Sequence, residues 1–78
     1  MRETIEINKE LLEIFKISYL KDNELKMLES EEYNLALYYC GKYKGFLEAL
    51  FLYNLIDFDE YDKQFNYIDL KLKSLVFT

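Results

Sequence analysis

The sequence predicts an all-α protein of three helices, about residues 4–20, 24–54 and 58–76, in which a long central helix and the last helix form a hairpin. Three observations predict it. Apolar residues recur at three- and four-residue steps almost throughout, the spacing of one face of a helix. The chain has no proline and only two glycines, so little interrupts those runs. The segment Asp57-Phe58-Asp59-Glu60 has the form of a capping box, which marks a helix start. Seventy-eight residues without a linker or repeat make one small helical domain, 1–78.

In the first helix Ile7, Leu11, Ile14, Phe15, Ser18 and Tyr19 share one side, and Glu6, Glu10, Glu13 and Lys16 the other. Thr4 or Asn8 is the expected N-cap. Lys21-Asp22-Asn23 reads as a polar turn, with Asn23 capping the second helix and Glu24 favourably placed in its first turn. Leu25 and Leu28 then fall in phase with Leu35, Tyr39, Tyr43, Phe46 and Leu50, so one continuous helix of roughly 45 Å is expected over 24–54. The alternative is a short helix over 24–29 that restarts at Ser30-Glu31-Glu32, or a kink near Ser30.

The hairpin spans about 31–76 and turns at Leu55-Ile56-Asp57. Asn54 tolerates the left-handed conformation that often ends a helix. Asp57 is the expected N-cap of the third helix, with Glu60 reaching back to it. Ile56 and Tyr61 stand at the two positions of a hydrophobic staple. Phe58, Tyr61, Phe65, Ile68, Leu72 and Leu75 then make a narrow apolar stripe, and Lys71 and Lys73 favour the C-terminal end of the dipole.

The second helix has a wide inner side, from Leu35, Ala36 and Tyr39 through Cys40, Tyr43, Phe46, Leu47 and Leu50 to Phe51 and Tyr53, that the other two helices can cover. Its reverse side holds Leu37, Gly41, Gly45, Glu48 and Leu52 in one row, flanked by Tyr38 and Ala49. Two glycines inside a helix cost about 2 kcal/mol relative to alanine. Close approach of another backbone is the usual reason to accept that cost, although glycines four apart also occur on ordinary solvated faces. Tyr38, Tyr67 and Leu70 also point away from the expected core, and exposed aromatics favour a protein interface. The candidate interface is therefore Leu37, Tyr38, Gly41, Gly45, Glu48, Leu52, Tyr67 and Leu70.

Catalysis finds little support. The chain has no histidine, the usual base and a common metal ligand. Cys40 falls on the inner side as a small hydrophobe. No cofactor and no metal are expected. Asp57, Asp59, Glu60 and Asp62 crowd a short segment but lack the glycine and distal glutamate of a calcium loop. With Glu29, Glu31 and Glu32 they make a candidate acidic docking patch for a basic partner. The formal net charge of −5 disfavours direct binding of nucleic acid. The lone cysteine suits a reducing interior, no secretory signal is visible, and Ala49 to Ile56 is too short an apolar run to cross a bilayer. A cytoplasmic protein without membrane association is expected.

The run Tyr38-Tyr39-Cys40-Gly41-Lys42-Tyr43-Lys44-Gly45-Phe46-Leu47-Glu48-Ala49-Leu50, followed by Leu55-Ile56-Asp57-Phe58-Asp59-Glu60-Tyr61, resembles short helical-hairpin proteins of Gram-positive phages and mobile elements. The resemblance covers about residues 38–62. It implies a helical hairpin and a mobile-element origin, and it implies no activity. Asn54 stands where such turns often carry glycine, which leaves the hairpin intact. The expected function is that of a non-enzymatic interaction protein that binds a protein partner and forms a homodimer. The alternative is an acidic inhibitor of a nucleic-acid enzyme, of anti-restriction or anti-CRISPR type, whose carboxylates imitate phosphates.

Overall fold

The computed structural model describes residues 9–77, and among them are three helices and no strand: α1 (Lys9–Leu28), α2 (Tyr33–Leu52) and α3 (Phe58–Lys73). The all-α class and the number of helices are as expected, but the first boundary is not. Lys21-Asp22-Asn23 does not turn the chain. Asp22 pairs with Lys26 one helical turn on, at 3.1 Å, and the Asn23 side-chain amide donates to the Tyr19 carbonyl, at 2.9 Å. Both interactions lie along a helix, so the polar triplet stays within α1. Asn23 is therefore not an N-cap, and the central helix is α2 alone, not a helix over 24–54.

The break falls at 29–32, the alternative position. Ser30 turns its hydroxyl back onto the Lys26 carbonyl at 2.6 Å, and its N–H donates to the Met27 carbonyl at 3.2 Å. Those bonds take up carbonyls at the end of α1. Glu29, Glu31 and Glu32 explain why the helix does not simply run on. Carboxylates are disfavoured at a helix C-terminus and favoured at the start of the next one. Glu32 is the N-cap of α2, with extended backbone and no hydrogen bond from its side chain.

Continuation to Leu28 also turns α1 about its axis relative to the expected face. Leu20, Asn23 and Met27, at three- and four-residue steps, are buried, whereas Ile14, Phe15, Leu25 and Leu28 are exposed. Extra turns carrying Asn23 and Met27 shift the line that meets α2. Ile7, Thr4 and Asn8 lie outside the described residues.

The second boundary is as the residues indicate. Asn54 has φ 59°, the Leu55 N–H donates to the Leu50 carbonyl at 2.8 Å, and the Asn54 N–H donates to the Phe51 carbonyl at 3.0 Å. That is a Schellman ending with asparagine in place of glycine. The Asp57 carboxylate then accepts from the Glu60 N–H at 2.8 Å, which caps α3. Only this half of the capping box forms. The Glu60 carboxylate accepts instead from the Gln64 side-chain amide, at 3.1 Å. α3 ends at Lys73, short of 76, where Ser74 bonds back to carbonyls of the last turn. Beyond it, Leu75 and Phe77 still pack against the core.

Contacts of α1 with α2 run from Phe15–Phe46 to Lys26–Tyr39 and those of α3 with α2 from Phe51–Tyr61 to Lys44–Asp69, so both helices are antiparallel to α2. Both pack on its buried side and touch each other lightly. Met27, Ala36, Cys40, Tyr43, Leu47 and Ile68 form the buried centre. Aromatic rings close its flanks: Phe15, Tyr19 and Phe46 between α1 and α2, and Phe51, Phe58, Tyr61 and Phe65 between α2 and α3. Such ring contacts add about 0.5–1.5 kcal/mol per pair beyond burial. Among the described residues, one side of α2 is left without a neighbour.

Candidate interaction surface

The burial pattern of α2 defines its open side. Ala36, Cys40, Tyr43, Leu47 and Leu50 are buried along one line, and on the opposite side Leu37, Tyr38, Gly41, Gly45, Glu48 and Leu52 are all exposed. Leu52 is 67% exposed and Tyr38 58%. Tyr38 stands edge-on to Tyr39 at 5.2 Å, with the Lys42 ammonium 5.6 Å from its ring centre.

Nothing among the described residues accounts for the two glycines. Neither has a positive φ. A Cβ built on Gly41 or on Gly45 meets nothing within 4 Å. Neither backbone conformation nor close packing among the described residues therefore requires glycine at these positions. The flat strip they make faces outward, bordered by Leu37, Tyr38 and Leu52.

Tyr67 and Leu70 do not belong to this strip. Tyr67 is on the α3 side of a groove whose floor is Tyr43, on the buried side of α2. Its hydroxyl donates to the Glu24 carboxylate of α1 at 2.6 Å, so it ties the two outer helices together. That hydrogen bond holds the Tyr67 hydroxyl above its usual pKa range. Leu70 is exposed on α3, a separate element. The expected eight-residue interface is thus six residues on α2 and two elsewhere.

The acidic residues are also divided. Glu29, Glu31 and Glu32 border a shallow hollow at the α1–α2 connection, while Asp57, Asp59, Glu60 and Asp62 lie at the start of α3. The length of α2 separates them, roughly 30 Å at 1.5 Å per residue. They make two small patches at opposite ends of the molecule and not one row. Asp57 and Glu60 are in addition engaged in hydrogen bonds within α3.

On the buried side of α2, Cys40, Tyr43 and Lys44 are each packed or paired within the chain. Cys40 is buried, and burial pushes its thiol pKa up, with the Lys44 ammonium pulling the other way and Asp69 adding a smaller upward push. A thiol held protonated is a poor nucleophile. Tyr43 donates its hydroxyl to Gln64 at 2.8 Å, and burial pushes its pKa up to about 12. Lys44 pairs with the Asp69 carboxylate and stands 4.5 Å from the centre of the Phe65 ring. Among the described residues no group of three or more His, Cys, Asp or Glu could hold a metal ion, and no helix is long and apolar enough to cross a membrane. The bonds from Tyr43 to Gln64, Lys44 to Asp69 and Tyr67 to Glu24 span separations of 21, 25 and 43 residues. No local pattern announces such pairs.

No protein-family model matches the chain, and no curated protein and no solved structure matches it. What fold and surface define is a class: a small three-helix protein with an open, glycine-bearing face on its central helix.

Proposed function

We propose that this protein is a non-enzymatic interaction protein that binds a protein partner through the outward face of α2, and that a second copy of the chain is one such partner. The observation that carries the reading is the pair Gly41 and Gly45. Each forgoes about 1 kcal/mol of helix stability, and none of the described residues occupies the space that a side chain would fill. Helices that approach each other over small residues gain backbone contact that larger side chains prevent. Leu37, Tyr38 and Leu52 supply the apolar area at the border. In a C2 pair the same strip meets itself, so one patch serves both copies. The reading also places the protein in a phage or mobile element, on the resemblance of residues 38–62 alone. Two copies in a cytoplasmic setting would need no cofactor or metal to associate.

Multi-angle light scattering across a concentration series tests the proposal. The wild-type mass should rise from that of one chain toward two as concentration increases into the high micromolar range. Gly45→Leu should remain one chain throughout, with unchanged helix content. A strict single chain for the wild type, or an unaltered rise in the variant, sinks it.

A further inference from the structure

On the other side of α2 from the glycines, α1 and α3 leave a groove of about 300 Å³ over Tyr43. That volume is at the lower end of the range of small-molecule sites. Its surface is mainly apolar, with Ile17 and Leu20 from α1 and the Tyr43 ring as the floor. Most polar groups along it are already satisfied within the chain. The Tyr43 hydroxyl donates to Gln64, the Gln64 amide donates to Glu60, and the Tyr67 hydroxyl donates to Glu24.

Two groups are not. Lys21 on α1 and Lys63 on α3 line the two walls, and neither has an ion-pair or hydrogen-bond partner among the described residues. On a chain of formal charge −5, the residues lining this groove include two lysines against one glutamate, and that carboxylate accepts from Tyr67. An apolar floor between two unpaired cations suits a ligand with an apolar body and a negative head. Lysine serves such a head as a mobile point charge that needs no fixed geometry.

We propose that the α1–α3 groove binds a small amphipathic anion, a carboxylate carried on an apolar body, with Lys21 and Lys63 flanking the charge and Ile17, Leu20 and the Tyr43 ring holding the body. Occupancy joins α1 to α3, which otherwise meet lightly. The competing arrangement is one in which both lysines only lay their stems along the apolar walls and keep their heads in water.

The test is a two-dimensional amide NMR titration of the intact protein with sodium octanoate below its micelle concentration, beside octylammonium at the same chain length. Octanoate should give saturable shifts clustered at Leu20, Lys21, Tyr43, Lys63 and Gln64, and octylammonium should bind more weakly. The double variant Lys21→Glu/Lys63→Glu changes exposed side chains only. It should lose octanoate affinity by about tenfold or more and reverse the preference. Lys21→Gln/Lys63→Gln should show the loss without the reversal, and it serves as the second variant should charge reversal disturb folding. Equal binding of the two amphiphiles overturns the proposal. So do shifts spread over Leu52, Phe58 and Leu70, or undiminished octanoate binding by a folded double variant.

Discussion

Replacing both outward glycines by alanine should stabilise the fold and weaken association at the same time. Gly41 and Gly45 lie inside α2 with ordinary helical φ, and an added Cβ at either meets nothing within 4 Å. The whole propensity difference is therefore available, with no clash to offset it. At 0.8–1.0 kcal/mol per site the gain is about 2 kcal/mol. For a domain of this size that is a rise in Tm of roughly 8–16 °C. Thermal melts followed by circular dichroism, at concentrations low enough to keep one chain apart, measure it. Across an interface the same two methyl groups hold the facing backbone away, so the self-association constant should fall as Tm rises. A fall in Tm for the single chain would refute the reasoning, because it would require a contact at the glycines that the structure lacks. A rise in Tm with undiminished association would refute the interface and leave the helix argument standing.

Other consequences follow from single residues. Asn23 is 1% exposed and its Oδ1 is buried without a partner among the described residues, so Asn23→Leu should raise the stability measured by urea unfolding by about 1–2 kcal/mol; a loss would show that the amide is better satisfied than this. Asp57→Ala removes the cap of α3 and should cost about 1 kcal/mol, with Asp57→Asn close to neutral. Tyr43 supplies a pH dependence whose sign is set by burial. Its folded pKa, about 12, is above the unfolded value near 10. Folding thus favours the neutral hydroxyl, and this contribution is complete below pH 10 and lost between about 10 and 12. At about 1.4 kcal/mol per pH unit the loss reaches about 3 kcal/mol. Tyr43→Phe should be less stable at neutral pH by about 1 kcal/mol, because Gln64 loses its donor. Its alkaline decline should be shallower than that of the wild type, and parallel declines would contradict the assignment.

What was legible in the sequence was what a few neighbouring residues decide. Asn54 and Asp57 end one helix and begin the next through bonds that stay within the turn, so their residue types announce the structure. The inner line of α2, from Ala36 to Leu50, is read from helical spacing for the same reason. The first boundary lies later than composition predicts, because Lys21-Asp22-Asn23 has the composition of a turn while its side chains bond along a helix. Ser30, an inconspicuous residue among glutamates, ends α1 by spending its hydroxyl on a backbone carbonyl. The buried face of α1 differs from the apolar pattern for the same reason, since Asn23, polar by type, is among the most buried side chains. Of the candidate surface, the α2 row was visible as a row. Tyr67 could be assigned to a different side only from its bond to Glu24, 43 residues away, and the α1–α3 groove depends on such long-range pairs throughout.

The most direct test of the account is a dilution series of amide NMR spectra, from high to low micromolar, on the wild-type protein. Gly41 and Gly45 are the only two glycines in the chain, so their amide signals report on the strip directly. These two signals and that of Leu52 should move or broaden as concentration rises, while those of Asn54 and Gln64 should not. Spectra that superimpose across the whole series would contradict it.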